Sequence, residues 1–233
     1  MPSIGSLPGT KGFGTVPRPG LGTGGAMSFN GSASNLSIPN DADIQLGTGD
    51  FTIEFFMYML GGGPLYQRIF SVGTFSSQKI AMSVEGSTDT NRTLYVWATG
   101  AASVQTGNFI NRWVHVAISR NSSTLRVFID GIQAYSAANS NDLTDATNVL
   151  RIGNESTLGA TSYFKGYLTN FRWIKGTGLY TTNFSRPQVP LTAVTNTKIL
   201  LLATTSGAVT TDSSAAPKTI TNTSVTWQDS DPF

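Results

Sequence analysis

The sequence has no cysteine among its 233 residues, so no disulfide stabilises the fold. Charged residues make up 12% of the chain, about half of the roughly 25% that is usual in soluble domains. The solvent faces must therefore be covered by Ser, Thr, Asn and Gly. The few basic residues are scattered and form no basic run, which argues against nucleic acid as a partner. No apolar run approaches the ~18 residues of a membrane span, so no membrane partner is expected.

The N-terminal 25 residues are rich in glycine and proline and have almost no periodic apolar pattern. They lack the basic head and apolar stretch of a secretory signal, so we expect folding in the cytoplasm. Ordering each residue costs roughly 1–2 kcal/mol of backbone entropy, so we expect this N-terminal arm, 1–25, to lie against its own domain or a neighbouring subunit. Gly20–Gly25 formally matches G-x-G-x-x-G, but the pattern offers no preceding strand and no following helix, so no dinucleotide is expected.

The middle of the chain predicts three consecutive antiparallel strands. Trp113–Ser119 and Thr124–Ile129 alternate in polarity with the period of two that is typical of strands. Asp130-Gly131 is the dipeptide favoured where both central residues of a hairpin turn need positive φ, and Ile132–Tyr135 then returns antiparallel. These strands are apolar on both faces in places, which indicates the interior of a sandwich.

Similar apolar segments recur about every ten residues, with turn residues between them, which is typical of an all-β sandwich. No helix of three turns is evident. We therefore predict a two-sheet antiparallel β-sandwich over residues 26–205, followed by an irregular C-terminal tail, 206–233, that packs on or near it. Further strands are predicted at Ala26–Ile38, Phe51–Met59, Gln67–Gly73, Lys79–Glu85, Thr93–Ala98, Leu150–Gly153, Gly166–Ile174 and Ile199–Ala203, with a weaker alternation at Thr219–Trp227.

Several motifs carry a family resemblance. The pattern W-x-H-V-A at Trp113–Ala117, followed by TLRVFIDG at Thr124–Gly131, resembles the signature of laminin-G-like domains in the concanavalin A-like lectin/glucanase superfamily. Ser28–Gly31 and Gly49–Phe55 resemble that family's opening strands, while Leu150–Asn154 and Phe164–Arg172 resemble its closing ones. The resemblance implies a concanavalin A-like jelly roll, and fold alone does not imply function.

The segment Trp173–Leu202 resembles the C-terminal continuation of laminin-G-like proteins from phages and viruses. This resemblance implies a virion component.

The carboxylates of a glucanase are missing from the sequence. Retaining glycosidases need two carboxyl groups ~5–5.5 Å apart, whereas Glu54, Glu85 and Glu155 are far apart in the chain and lie in no such motif. The single histidine, His115, lies inside a predicted strand and is expected to be a hydrogen-bonded core residue rather than a catalytic base. We therefore expect no enzymatic activity.

Calcium is the metal that the sequence best accommodates, because Ca²⁺ takes oxygen ligands from loop carboxylates and carbonyls. Laminin-G-like and legume-lectin-like relatives often hold one such ion at a loop-rich rim. The candidate ligands are Asp41, Asp43 and Asp50 in one predicted loop and Asp142 and Asp145 in another. Without calcium, these are turn and capping residues, and no other cofactor is expected.

Carbohydrate binding requires exposed aromatic rings beside polar groups. Most of the tryptophans and tyrosines are expected in the core, because large aromatic side chains dominate sandwich interiors. Tyr163 and Tyr180 occur in loop-like sequence and are the candidates for exposed rings.

Two functional hypotheses follow. The first is a non-enzymatic virion structural protein, a phage capsid decoration or cement protein or a fibre component, which packs through its arm against copies of itself and the major capsid protein. It would fold in the host cytoplasm and reside in the virion. The alternative is a lectin-like adhesin that recognises host-surface glycans.

Overall fold

The computed structural model describes residues 24–145, 147, 149–155, 157 and 161–233. Residues 1–23, most of the predicted N-terminal arm, lie outside the described residues, and so does the prediction that the arm packs against a partner surface. Within the described part of the chain, no helix combines the length and hydrophobicity that a membrane crossing requires.

The described residues form two antiparallel sheets, which confirms the predicted β-sandwich. Sheet A has eight strands in the order β10-β9-β8-β3-β12-β1-β15, with β13 also paired to β12, and sheet B has seven in the order β14-β2-β11-β4-β5-β6-β7. The strands are β1 Ala26–Asn30, β2 Asn35–Ile38, β3 Phe51–Met59, β4 Tyr66–Val72, β5 Ile80–Glu85, β6 Arg92–Trp97, β7 Ala101–Gly107, β8 Trp113–Asn121, β9 Thr124–Ile129, β10 Ile132–Ala138, β11 Leu150–Ile152, β12 Lys165–Lys175, β13 Thr197–Leu201, β14 Thr221–Thr223 and β15 Thr226–Gln228.

The central hairpins form as the sequence predicts. Asp130 and Gly131 both have positive φ, 50° and 83°, between β9 and β10. A Cβ at Gly131 would lie 2.0 Å from the carbonyl oxygen of Phe184, so only glycine fits this turn. The β8–β9 turn likewise has positive φ at Ser122 and Ser123, which fixes the register of the hairpin.

Aromatic rings from both sheets meet in the core. Phe70 of sheet B contacts Phe55, Phe171 and Trp173 of sheet A, with ring centroids 5.9–6.1 Å apart. All four side chains are buried. This contact fixes the two sheets face to face, so the alternate residues of each strand must point outward from the sandwich.

The segment 206–233 contributes strands to both sheets, although the sequence predicts an irregular tail. β14 pairs with β2 in sheet B, and β15 pairs with β1 in sheet A. Asp212 ties the segment to the sandwich by accepting hydrogen bonds from the backbone N–H groups of Leu200, Ser214 and Lys218. The tail therefore closes one side of the sandwich.

The opposite side of the sandwich ends at β7 in sheet B and β10 in sheet A. β7 is not predicted from the sequence, because AASVQTG has small residues and little alternation. Its residues pair with β6 from Ala101 to Gly107.

A connecting segment without strands, 176–196, which we call the strap, covers the outer face of sheet A. The N–H of Leu179 donates to the Thr52 hydroxyl, the N–H of Tyr180 to the Ser119 hydroxyl and the N–H of Phe184 to the Gly131 carbonyl. Sheet A therefore carries a cover on the face opposite the core.

Candidate functional site

The outer face of sheet B carries the candidate site. In β4, β5 and β6 the core-facing residues alternate with residues that point away from the core, and the antiparallel register brings the outward residues together in rows. One row pairs Arg68 with Ser83 and Ser83 with Tyr95, and the next pairs Tyr66 with Glu85.

A buried ion pair lies at the centre of this face. The Nη1 of Arg68 donates to Oε1 of Glu85 at 2.9 Å. The Ser83 hydroxyl donates to the same Glu85 oxygen at 2.8 Å, and the indole N–H of Trp97 donates to the Ser83 hydroxyl at 3.3 Å. These bonds hold the carboxylate in one orientation while leaving it partly exposed.

Two aromatic rings cover the Arg68 guanidinium. Its central carbon lies 5.6 Å from the ring centroid of Phe75 and 5.1 Å from that of Trp97, a cation–π arrangement. Arg68 is fully buried, and its Nε and Nη2 have no hydrogen-bond partner in the described residues. A buried unpaired donor costs about 1–3 kcal/mol, so the ion pair with Glu85 and the two aromatic rings must offset this cost.

The loop 73–79 positions the aromatic cover. Gly73 has φ +99°, and a Cβ there would lie 2.8 Å from Cα of Gln78, so the loop closes tightly only with glycine. The N–H of Ser77 donates to the Thr74 carbonyl at 3.0 Å, which makes the turn. As a result Phe75 is held out from the loop with 46% of its surface exposed.

Two clefts share the Phe75–Trp97 contact, which we call the aromatic ridge, as part of their walls. The Glu85 cleft, about 270 Å³, is lined by Tyr66 and Glu85 together with the ridge. The Gln78 cleft, about 360 Å³, is lined by the ridge and by Ser76, Ser77, Gln78, Lys79, Thr99 and Gly100. Both clefts combine apolar rings with a few polar groups, the composition of small-ligand sites.

In the Gln78 cleft, Gln78 is the polar residue whose side chain lacks hydrogen-bond partners. Its side chain is buried, and within the described chain neither Oε1 nor Nε2 has a hydrogen-bond partner. A sugar hydroxyl both donates and accepts, so it can satisfy the two ends of an amide.

Sequence reasoning did not single out Arg68, Phe75 or Gln78. A phenylalanine inside the polar loop GTFSSQ is the one signal that indicates an exposed ring. Nothing in the sequence indicates that Arg68 lies beneath it, because the two residues meet only through the fold.

The outer face of sheet A holds a second polar cluster, centred on Glu54. Its carboxylate accepts hydrogen bonds from Nε2 of His115 at 3.1 Å, from Nε of Arg172 at 2.9 Å and from the Tyr180 hydroxyl at 2.9 Å. Glu54 and His115 are fully buried, so the prediction that His115 is a hydrogen-bonded core residue is confirmed. The cluster anchors the strap to the sheet.

The charges around Glu54 decide its protonation. Burial raises the pKa of the Glu54 carboxyl, but the hydrogen bond from His115 and the charge of Arg172 outweigh burial and hold the pKa below the ordinary value of 4.5. Glu54 is therefore ionised at neutral pH. Burial and the negative charge of Glu54 raise the pKa of the Tyr180 hydroxyl, which stays protonated and donates.

The two tyrosines that the sequence suggests for sugar binding lie outside both clefts. Tyr180 is half-buried in the strap, because its hydroxyl bonds Glu54 and its ring stacks on Phe184 with centroids 3.8 Å apart. Tyr163 is half-buried and forms an isolated backbone bridge with Arg68. Neither side chain is among the described residues that line the two clefts.

The loops that carry the candidate calcium ligands do come together, around the guanidinium of Arg120. It donates to the carbonyl oxygens of Gly47, Gly49 and Asn141 at 2.6–2.9 Å, and to Oδ1 of Asn139 at 3.1 Å. The buried guanidinium thus takes the carbonyl oxygens that a rim cation would need.

The candidate carboxylates have protein partners as well. Asp41 and Asp43 form ion pairs with Lys218 at 3.2 and 2.6 Å. A hydrogen bond from the backbone N–H of Asp43, followed by Lys218, lowers the pKa of Asp41, and Lys218 lowers the pKa of Asp43.

The remaining candidates bond to nearby turns: Asp50 accepts from the N–H of Ser122, Asp142 from that of Thr144, and Asp145 from that of Thr147. Among the described residues, no three acidic or histidine side chains converge as a metal site requires.

Residues 30–177 match a laminin-G-like family that is described as the concanavalin A-like lectin/glucanases superfamily. No protein with a curated description matches the sequence significantly.

The chain is similar to several solved structures at low sequence identity. A protein from Bacteroides ovatus, provisionally named as carbohydrate-binding, has a TM-score of 0.70 at 15% identity over 89% of this chain and 60% of its own. Domain 4 of an extracellular arabinanase from Geobacillus stearothermophilus, solved with arabinotriose, has a TM-score of 0.49 at 17% identity over 66% of this chain and 71% of its own. Tailspike protein 2 of an Escherichia coli bacteriophage has 0.43 at 9% identity, over 70% of this chain and 27% of its own.

The present chain therefore spans about three fifths of the Bacteroides ovatus protein's length. At 15% identity, the likeness to the Bacteroides ovatus protein shows the shared fold.

Replacing Glu54 with glutamine should destabilise the protein in a pH-dependent way. The folded pKa of Glu54 lies below its unfolded value, so the stabilisation from the charge is fully present above pH 4.5 and is lost as pH falls through the folded pKa. We expect Glu54→Gln to cost roughly 3–5 kcal/mol at neutral pH, with the difference from wild type shrinking below pH 4.5. Urea unfolding of both proteins from neutral pH to below pH 4.5 measures this difference in the free energy of unfolding.

The exposed Asp229→Asn substitution is the control and should change stability little at any pH. A wild-type advantage over Glu54→Gln that stays constant down to strongly acidic pH would contradict this account of the cluster.

Calcium should leave the melting temperature of the wild-type protein unchanged, because Arg120 occupies the rim carbonyls. Arg120→Met should lower the free energy of unfolding by about 3 kcal/mol, since it removes the donors to three carbonyl oxygens and to the Asn139 amide oxygen. Arg112→Met, at a half-exposed arginine, is the matched control. Thermal unfolding in calcium and in EDTA measures both effects. A wild-type melting temperature that rises with calcium would contradict the conclusion that Arg120 occupies the rim carbonyls.

Proposed function

Because the chain belongs to the concanavalin A-like lectin/glucanases superfamily, we propose that it is a carbohydrate-binding protein whose site is the outer face of sheet B. The observation that carries the proposal is the aromatic ridge over a buried Arg68–Glu85 pair. Phe75 offers an exposed ring face, and Tyr66, 43% exposed, offers a second one next to Glu85. Sugar rings stack on such faces while their hydroxyls bond the polar groups between them.

The chemistry of the site supports binding rather than hydrolysis. Glu85 is the sole carboxylate among the described residues that line the two clefts, whereas a retaining or inverting glycosidase uses two. Arg68 and Ser83 both bond to Glu85 and fix the orientation of its carboxylate, whose oxygens can accept hydrogen bonds from sugar hydroxyls.

The provisional name of the Bacteroides ovatus protein agrees with a glycan ligand. The ligand class proposed for this chain rests on the cleft, since the likeness between the two proteins concerns the fold. The alternative function that the sequence suggests, a lectin-like adhesin, is thus the one that the geometry supports best.

Removing the indole of Trp97 should weaken glycan binding. Trp97→Ala takes away one side of the ridge and the donor to Ser83, so we expect affinity for glycans that bind the wild type to fall at least tenfold, about 1.4 kcal/mol. A glycan array identifies the ligands, and isothermal titration calorimetry of wild type and variant measures the loss.

Tyr167→Ala is the matched control. Tyr167 is a half-buried aromatic residue on the outer face of sheet A, where it stacks on Tyr58. Its removal should leave glycan affinity unchanged. Binding that depends on Tyr167 but not on Trp97 would place the site on the other sheet and overturn the proposal.

A structural role in an assembly of copies is the second function we propose, and the open side of the sandwich favours it. The edge strands β7 and β10, AASVQTG and IQAYSAA, contain no charged residue and no proline. Edge strands are usually protected by such residues, because their free backbone groups pair with other strands. Two copies meeting edge to edge across a two-fold axis would satisfy both edges without like-charge repulsion.

The finer form of this role is the virion structural protein, with the major capsid protein as a further partner. It rests on the resemblance of Trp173–Leu202, the segment that contains the strap. Glycan binding and virion attachment are compatible, because the clefts use side chains on the outer face of sheet B, whereas an edge contact uses the backbone groups of β7 and β10.

Lysines placed on both edges should prevent self-association. We expect the wild-type protein to form a discrete oligomer in analytical ultracentrifugation and the double variant Ser103→Lys/Ser136→Lys to be a monomer. Ser87→Lys, in an exposed loop of sheet B, adds the same charge elsewhere and should leave the oligomer intact. A wild-type protein that remains monomeric at high concentration would contradict the structural role.

A further inference from the structure

The two clefts share their central wall. Phe75 and Trp97 line both of them, so a ligand in one cleft and a ligand in the other would both contact the aromatic ridge. Ligand sites for drug-sized molecules are typically about 300–1,000 Å³. The Glu85 cleft, at about 270 Å³, is slightly smaller than this, and the Gln78 cleft, at about 360 Å³, is near the lower limit. Each one therefore has room for a small unit such as a single sugar ring.

The polar groups of the two clefts are different and complementary to sugar hydroxyls. The Glu85 cleft supplies a carboxylate acceptor and the Tyr66 hydroxyl. The Gln78 cleft supplies a buried amide that has no partner in the described part of the chain, together with Lys79 and the Thr99 hydroxyl. A ligand confined to the Glu85 cleft would leave the Gln78 amide unsatisfied.

From this geometry we infer that the site binds an internal stretch of a polysaccharide, with adjacent sugar units in the Glu85 and Gln78 clefts and the aromatic ridge between them. This inference rests on the proposed function and specifies its ligand as an extended chain rather than a terminal sugar. Both clefts open to solvent, so the chain continues beyond the site at each end. The second unit adds the amide contacts that a single unit cannot reach.

A series of increasing chain length tests the inference. Isothermal titration calorimetry would use oligosaccharides of one to six units from β-1,4-glucan, β-1,4-xylan, β-1,4-mannan and α-1,5-arabinan. For the series that binds, we expect wild-type affinity to rise at least tenfold between one unit and two or three units, and to level off once both clefts are filled.

The variant Gln78→Met tests the contribution of the Gln78 cleft. Methionine has a similar length and needs no hydrogen-bond partners, so the free variant should melt at the wild-type temperature or above it. The variant should keep the wild-type affinity for a single unit and lose the gain from further units. Gln133→Met, at an exposed glutamine of β10 in the other sheet, should behave as the wild type.

The outcomes separate the inference from the proposed function. Equal wild-type affinity for one unit and for longer chains would overturn the extended ligand while leaving the glycan site in place. A full length-dependent gain in Gln78→Met would also overturn it. The absence of binding to every series would overturn both.

Discussion

The ion pair between Arg68 and Glu85 is the interaction on which the candidate site depends. Removing two charges from water is costly, and a buried pair is retained only where further contacts offset the desolvation. Here Ser83 and Trp97 fix the carboxylate, while the rings of Phe75 and Trp97 cover the guanidinium. The same contacts that stabilise the pair also build the aromatic ridge. The site is thus a consequence of how a charge is accommodated on one face of a sheet.

Each outer face of the sandwich holds a glutamate–arginine ion pair, and the two pairs have different surroundings. On sheet A, Glu54 is also paired with an arginine, but the strap covers the pair, and the Tyr180 hydroxyl shares Oε2 of Glu54 with His115. On sheet B no segment of the described chain fills the clefts beside the pair, and donors of Arg68 and both ends of the Gln78 amide are left without partners. A cluster covered by the strap is typical of a structural anchor, whereas a pair beside open clefts is typical of a binding site.

The sequence predicts the sandwich well, because strand alternation and turn chemistry are local. Phe51–Met59 coincides with β3, and the Asp130-Gly131 turn has the predicted conformation. β7 is missed because its small residues carry no pattern. The site is missed for a different reason: Arg68, Glu85 and Phe75 are separated along the chain and meet only through the β4–β5 register and the loop at Gly73. The sequence places the candidate calcium ligands in two separate loops, and it does not indicate that Arg120 of β8 bonds to carbonyl oxygens of both loops.

Nuclear magnetic resonance of the isotopically labelled protein during titration with its glycan tests the central claim most directly, since it locates the ligand without altering a residue. The account predicts that the largest amide and indole shifts cluster at Phe75, Gln78, Glu85 and Trp97 on the outer face of sheet B, while the strap and rim loops remain unperturbed. Shifts concentrated at the rim loops around Arg120, or at the strap, would contradict it.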